Sequence, residues 1–488
     1  MKGVWTTRQI REAESVLLGR MPEGALMRRA AFGLEVVVRR MLAGRTAGIC
    51  GRRVVLLVGA GNNGGDALWA GAGLRRRGAG VTAVLLSPDQ THPAGLGALR
   101  RAGGRVLTAD DAAARRAVAG AHVVVDGIVG IAGRGPLRPA AAVLVAAAEE
   151  AGVPVVAVDL PSGVDPDTGA ADGPAVAAAR TVTFGGLKPV HVLAAPRCGP
   201  VDLVDIGLGP LLPAPHAQVL DGADVAADWP LPGPADDKYT QGVAGVAAGS
   251  AVYPGAAVLT TGAAVLATSG MVRYAGPAAH EVRARWPEVV ASDTLETAGQ
   301  TQSWAVGPGI GLDPAARATL GTVLDRGVPL CIDADAITLL SRHEDLRRAV
   351  RGRPVLLTPH AGEFARLCGD VGTDRIAAVR RAAADLDVTV LLKGNATVVA
   401  APDGRVLVHA SPESWAATAG SGDVLSGIVG ALLAAGREPC WAGAAATFLH
   451  GRAAVLAARG APAPASMIQE AIPAAIRALR GAECRRAG

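Results

Sequence analysis

Three short clusters of asparagine, aspartate, serine and glycine stand where apolar runs end. Asn62-Asn63-Gly64-Gly65-Asp66 follows VVLLV, the stretch DGIVGIAGRGP from Asp126 follows HVVV, and Asp159-Leu160-Pro161-Ser162-Gly163-Val164-Asp165 follows VPVVAV. Amide carbonyl, carboxylate and hydroxyl are hard oxygen donors. With no His or Cys among them, the set suits a hard cation rather than a soft one. Each residue also has a plain structural reading: Asn62 and Asn63 as turn residues, Asp66 satisfying helix N–H groups, Ser162 as a cap. Three such clusters at three strand ends weigh against coincidence.

The second half of the chain carries a different set. AGSGDVLSG, Ala419 to Gly427, precedes the apolar run IVGALLAAG. It reads as a Gly-rich turn opening a helix, with backbone N–H groups aimed at an anion. Asp423 lies in the first turn. It either complements the helix dipole or takes a proton from a substrate hydroxyl beside a transferring phosphoryl group. Lys393-Gly394-Asn395-Ala396-Thr397 is a cationic turn between two strands, suited to the phosphate tail of a nucleotide. His360, in TPHAGE, is either a cap or a titratable strand-end group. GSAVYPGAA, Gly249 to Ala257, is a tight turn whose small residues let a ligand approach the backbone.

These residues need a frame. Apolar runs at 54–58, 81–86, 123–125 and 153–159 read as strands, with helical patterns at 66–77 and 139–151 between them. Thr6 and Gln9 fit a capping box opening a first helix. A second series of strands follows at 242–248, 302–306, 328–333, 354–357, 388–392 and 397–400. Near-continuous apolar strands alternating with helices predict an α/β fold with parallel sheets covered on both faces. In such sheets, ligands bind outside the carboxyl ends of strands. The stretch from Pro210 to Asp237 holds six prolines and reads as a linker or irregular crossover. Two domains are expected, 1–215 and 225–488.

Gly59-x-Gly61-x-x-Gly64 formally matches a dinucleotide-binding fingerprint. A dehydrogenase reading would need an acidic residue ending the second strand, where the chain has Leu85-Leu86-Ser87-Pro88. Asp66 would also oppose a pyrophosphate in the same turn, at about 4 kcal/mol for ~4 Å and an effective dielectric of ~20.

Half of the 488 residues are apolar but only 3% are aromatic, so the cores must be Ala, Val and Leu. The net charge of +5 is scattered arginine with no basic stripe interleaved with aromatics, which argues against a nucleic-acid partner. The six cysteines show no metal spacing and read as free thiols in a reducing compartment. The first residues lack the apolar stretch of a signal peptide, and the longest apolar run, Ala140 to Ala148, is too short for a bilayer. A cytoplasmic protein with no membrane partner is expected; self-association into a homo-oligomer is left open.

GNNGGD, VDG with GRGPLRP, and VDLPSGVDPDTG together resemble the NAD(P)H-hydrate epimerase domain over residues 1–215. The resemblance implies a Rossmann-like three-layer fold. It implies a potassium ion held by Asn63, Asp126 and Ser162. It also implies a hydrate site lined by Asn62, Asn63, Gly64, Gly65, Asp66, Gly130, Ile131, Ala132, Gly133, Arg134, Gly135, Pro136 and Asp159. Asp159 would be the acid/base group for epimerisation at C6 of the hydrated nicotinamide. Ala67 and the stretch Asp126–Gly133 depart from the family pattern.

GSGDVLSG, TPHAGE, KGNAT and GSAVYPGAAVL resemble the ribokinase-like NAD(P)H-hydrate dehydratase family over residues 235–480. The resemblance implies Asp423 as the catalytic carboxylate, with Ala257, Gly309 and His360 also contacting the hydrate. Lys393, Gly394, Asn395, Ala396, Thr397 and Gly422 would bind ADP, accompanied by magnesium. Asp237-Lys238-Tyr239 keeps only the lysine of the family's entry motif. Together the two halves imply repair of NADHX and NADPHX. The alternative left by the residues is a ribokinase-like small-molecule kinase with a non-catalytic N-terminal binding domain.

Overall fold

The computed structural model describes residues 1–44, 48–268, 270–411 and 413–484. The chain divides into two compact units, Gly3–His216 and Ala217–Gly488, the latter with Met1–Lys2.

In the N-terminal unit the strands are β1 (Arg53–Val58), β2 (Gly80–Leu85), β3 (Arg105–Thr108), β4 (Val123–Gly127), β5 (Val155–Val158), β6 (Arg180–Phe184) and β7 (Val201–Val204). They form one sheet in the order β3–β2–β1–β4–β5–β6–β7, parallel throughout. Side chains alternate along β1. Leu56 and Val58 join the core that includes Leu34, Val38 and Leu68, whereas Val55 and Leu57 join the core that includes Val118 and Leu144. The first core is covered by helices α1 (Thr7–Leu18), α2 (Ala25–Ala43), α3 (Asn62–Arg76) and α4 (Pro93–Arg101), the second by α5 (Ala112–Ala119) and α6 (Pro139–Glu150). This is the expected three-layer arrangement. Thr6 caps α1 with a reciprocal Thr6–Gln9 box.

The chain runs outward from β1 to β3 and then returns to β4 on the other side of β1. That reversal opens a crevice at the carboxyl ends of β1 and β4.

In the C-terminal unit the elements that matter are β8 (Ala217–Val219), α7 (Gly222–Asp228), β9 (Val243–Ala247), α8 (Pro254–Ala267), β10 (Met271–Ala275), β11 (Val290–Ser292), β12 (Ser303–Val306), β13 (Leu330–Ile332), β14 (Val355–Leu357), α9 (Ala361–Cys368), β15 (Thr389–Leu392), β16 (Ala396–Ala400), β17 (Val406–Ala410), α10 (Ser421–Ala434) and α11 (Pro439–Ala458). The strands lie in the order β8–β17–β16–β15–β14–β13–β12–β9–β10–β11. β16 is antiparallel to both β15 and β17; the other neighbours are parallel. A second reversal lies between β9 and β12. α8, α10 and α11 pack on one face through Ala263, Ile428, Leu432 and Leu449.

Two expectations are corrected here. The proline-rich stretch 210–237 is not merely a linker: β8 pairs with β17, and α7 opens with an Asp221–Asp224 capping box. And α3 begins at Asn62, four residues before the expected start, so Asp66 lies beyond the first turn. Among the described residues no helix is long and apolar enough to cross a membrane.

Candidate functional site

The first site lies at the crevice between β1 and β4. Asp126, near the end of β4, is completely buried. Its Oδ1 accepts from Ser162 Oγ (2.7 Å) and Ile128 N–H (3.2 Å), and its Oδ2 from Ser162 N–H (2.8 Å). Ser162 Oγ also accepts from Val129 N–H (3.1 Å), and Val129 C=O accepts from Asn63 Nδ2 (3.2 Å). The three expected cation ligands are therefore joined through Val129. A Cβ on Gly130 would stand 2.4 Å from Asn63 Oδ1, so only glycine leaves that oxygen its place. Burial pushes the Asp126 carboxyl up to about 6; the effects that oppose it are the hydrogen bonds from Ser162 and Ile128, not a cationic side chain. A buried carboxylate without a protein counter-charge, in an all-oxygen donor set, fits a hard monovalent or divalent cation.

Asp159 follows β5 in a left-handed conformation, φ 69°. A non-glycine residue there carries strain that its surroundings must hold. They do so with a network absent from the expected site. Lys188, 1% exposed, donates to Asp159 Oδ1 at 2.6 Å, to Thr183 Oγ1 at 2.9 Å and to Phe184 C=O at 3.2 Å. Thr183 Oγ1 donates to Asp159 Oδ1 at 2.9 Å. His191 Nδ1 accepts from the Lys188 N–H (2.9 Å), which leaves the proton on Nε2 to donate to Asp159 C=O (2.7 Å). Burial, reinforced by Lys188, pushes His191 down to about 4 and keeps it neutral. Burial alone would raise Asp159, but Lys188, His191 and Thr183 outweigh it and hold the carboxyl below its usual range.

Asp159 opens onto a cavity of about 740 Å³ that Asn62, Asn63, Asp66, Gly130, Ile131 and Ala132 also line. Asp66 Oδ1 is buried and has no hydrogen-bond partner. Burial, then Asp159 and Glu14, push its carboxyl well above the usual range. Gly64 and Gly65 are buried. Gly133, Arg134, Gly135 and Pro136 are not among the residues lining this cavity. Arg134 instead pairs with Asp165 (3.2 Å) and Asp167 (3.3 Å) and donates to Ile131 C=O (3.1 Å), which holds that loop against the chain after Ser162.

The second site lies at the head of α10. Gly420 takes φ 81° ahead of Ser421 and starts the helix. Asp423 sits in the first turn. Burial first, then the like charge of Asp333, push its carboxyl up to about 7. A cavity of about 620 Å³ is lined by His360, Lys393, Gly394, Asn395, Thr397 and Gly422, which brings most of the expected nucleotide set together. His409, Ser421 and His450 line it too and were not foreseen. Burial pushes both histidines down to about 4, and His450 Nε2 pairs with Ser421 Oγ at 3.0 Å. His360 is both cap and lining. Its Nδ1 accepts from the N–H groups of Gly362 (3.0 Å) and Glu363 (3.3 Å), closing a box at the start of α9.

Ala396 is buried in β16, outside that lining. Ala257 is wholly buried, its methyl 2.8 Å from where a Cβ on Gly249 would stand. Gly309 (φ 65°) leads to Gly311, whose N–H reaches Asp335 Oδ2 at 2.9 Å. Asp335 in turn is one of the charges acting on Asp423.

Residues 23–190 match a family model described as YjeF-related protein N-terminus, and residues 244–474 match the NAD(P)H-hydrate dehydratase model. A bifunctional NAD(P)H-hydrate repair enzyme of Mycobacterium leprae is 56% identical over 485 residues, covering 98% of this chain and 100% of its own. One from Corynebacterium glutamicum is 38% identical, covering 97% and 98%. Among solved structures, a ribokinase-like superfamily protein of Enterococcus faecalis superposes with a TM-score of 0.50 at 26% identity, covering 54% of this chain and 96% of its own. The chain belongs to the family of bifunctional NAD(P)H-hydrate repair enzymes.

Proposed function

We infer that this chain restores NADH and NADPH from their C6 hydrates. The N-terminal unit interconverts the R and S epimers, and the C-terminal unit dehydrates the S epimer at the expense of ADP. The observation that carries the reading is that Asp423, its carboxyl set near 7 at the head of α10, directly follows Gly422, which with Lys393 edges a nucleotide-sized cavity. A base poised near the working pH suits proton removal from a hydroxyl.

In that reaction Asp423 takes the C6 hydroxyl proton as the oxygen attacks the β-phosphorus of ADP and AMP leaves. The C6–O bond then breaks, phosphate departs, a C5 proton is lost, and the C5=C6 double bond of the reduced nicotinamide returns. Backbone N–H groups at the start of α10 face the developing phosphoryl charge. His360 and Gly309 border the hydrate, Ala257 supports the turn that approaches it, and Lys393, Gly394, Asn395 and Thr397 hold the nucleotide, whose phosphates a bound magnesium would neutralise.

In the N-terminal unit Asp159 is the acid/base group. Lys188 keeps it ionised at rest, so its first act is to accept a proton. Asn62, Asn63, Asp66 and Gly130–Ala132 border the hydrate. Asn63, Asp126 and Ser162 would hold a potassium ion, which would supply a fixed positive charge to the site. The free thiols support a cytoplasmic location.

The test is direct: the purified chain is given S-NADPHX and ADP, and absorbance at the reduced-nicotinamide band is followed. The band is expected to appear with stoichiometric AMP and phosphate; no rise would exclude the dehydratase reading. Without nucleotide, chromatography should show R converting to S.

A further inference from the structure

The residue after β13 is not accounted for by either set of motifs. Asp333 is 1% exposed. Its Oδ1 accepts from Lys393 Nζ at 2.7 Å and from Ala334 N–H at 2.9 Å; its Oδ2 accepts from Ser426 Oγ at 2.6 Å. Ala334 takes φ 51°, a conformation rarely adopted by a residue with a side chain, and its N–H contributes one of these bonds. One carboxylate thus ties together three separate segments: the end of β13, the turn after β15 and the first turns of α10.

Lys393 gains a fixed place from this. Its ammonium stands 3.5 Å from where a Cβ on Gly422 would be, and Asp333 Oδ2 stands 3.7 Å from the same point. Both groups therefore lie against the turn that carries Asp423. Arg375 steadies the turn after β15 by donating to the carbonyls of Leu392 (3.1 Å) and Lys393 (2.5 Å). A lysine on a four-carbon stem has many rotamers, and its only other close carboxylate among the described residues is Glu363 Oε2, at 4.0 Å.

We propose that Asp333 is a positioning residue of the dehydratase centre: it locks the Lys393 ammonium and the first turns of α10 into one unit, so that Lys393 faces the transferred phosphoryl group beside Asp423. This rests on the reading of the C-terminal site given above. It moves Lys393 from the nucleotide's tail to the reacting phosphorus. It also makes Asp333 the like charge that keeps Asp423 from ionising too early. The titratable groups acting on Asp423 are Asp333, Lys393 and Asp335; those on Lys393 are Asp333, Glu363 and the Cys331 thiol, with His360 Nε2 3.4 Å from Glu363.

The experiment measures steady-state dehydration of S-NADPHX with ADP by the full chain across pH, for wild type, Asp333→Asn, Lys393→Met and the double variant. Asp333→Asn is expected to lower kcat about a hundredfold, the scale of a displaced catalytic group, while KM for ADP stays within a few-fold. The acid limb of kcat should move to lower pH, because Asp423 loses a like charge. The double variant should be no slower than Lys393→Met alone. An unchanged kcat overturns the proposal. So does a fall in kcat with an unmoved acid limb, which marks a merely structural role, and so do independent effects that multiply in the double variant. Should Asp333→Asn fail to fold, Ser426→Ala loosens Asp333 without removing its charge: kcat should drop several-fold, and no drop overturns the proposal. A wild-type chain that fails to dehydrate overturns the reading of the site itself and the proposal with it.

Discussion

Each unit has an aspartate at its proposed reacting centre with a lysine nearby, buried at Asp159 and half-buried at Asp423, yet the two aspartates end in opposite states. Lys188 donates directly to Asp159, and that carboxyl is held below its usual range. Lys393 is committed to Asp333 instead, and Asp423 rises to about 7. Burial raises both carboxyls; at Asp159 the charge of Lys188 and then its hydrogen bond reverse the rise, whereas at Asp423 the like charge of Asp333 adds to burial and the two outweigh Lys393. One arrangement gives a carboxylate ionised throughout the physiological range. The other gives a base that switches near neutrality.

The sharpest test of that contrast is Asp423→Ala. Dehydration should fall about a thousandfold, within the range a positioned general base supplies, with ADP affinity within about tenfold by calorimetry and R-to-S conversion untouched. Retained turnover would remove Asp423 from its role. Next in size is Lys188→Met, which leaves Asp159 buried and unpaired. Breaking a buried pair in this way costs about 3–5 kcal/mol. A denaturant melt should show the N-terminal unit unfolding first while the C-terminal transition stays in place.

The contrast also explains what could be read from the chain and what could not. Strand-end motifs such as NNGGD and GSGD were legible because parallel strands deliver their last residues to one edge of the sheet. Asp126, Ser162 and Asn63 were singled out that way, and so were Lys393 to Thr397. TVTFGGLKPVH followed the same rule, a strand ending at Phe184 and then Lys188 and His191, and was overlooked. Its lysine looks like any surface charge until Asp159, 29 positions earlier, is seen to bury it. Asp333 was hidden likewise, since its partners Lys393 and Ser426 lie 60 and 93 positions away. The strand β8 was lost among prolines because its partner Leu407 comes far later in the chain. Arg134 entered the expected hydrate site through the family resemblance alone, and its pairing with Asp165 and Asp167 could not be read from the chain.

The pH profiles should separate the two centres within a single preparation. Asp423 works as a base only when ionised. Its carboxyl is raised to about 7, so dehydration should lose about tenfold per unit as pH falls below that value and level off above it. Epimerisation should lack this limb, since Asp159 sits below the ordinary carboxylate range and stays ionised. Coincident acid limbs in the two assays would end the distinction. Cation dependence should likewise be confined to one unit. Replacing sodium by potassium at constant ionic strength should raise the melting midpoint of the N-terminal transition by a few degrees, and Asp126→Asn should abolish that difference, because a ligand that binds only the folded state stabilises it.

The smallest expected effects come from the hydroxyls that serve each buried aspartate. Thr183→Val removes a donor from Asp159, and Ser426→Ala removes one from Asp333. Both hydroxyls are buried and both acceptors are charged, so each change should cost about 1–3 kcal/mol of its own unit's stability. Their kinetic consequences should differ. Thr183 touches the reacting carboxylate itself, so its loss should lift Asp159 and bring a weak acid limb into the epimerisation profile. Ser426 touches the residue that places Lys393, so its loss should lower the rate of dehydration while leaving the acid limb where it was. If instead both variants shift the pH profile of their own reaction alike, then Asp333 acts on Asp423 as directly as Thr183 acts on Asp159, and the separation between an ionised carboxylate and a switching one has to be drawn through Asp333 rather than through the lysines.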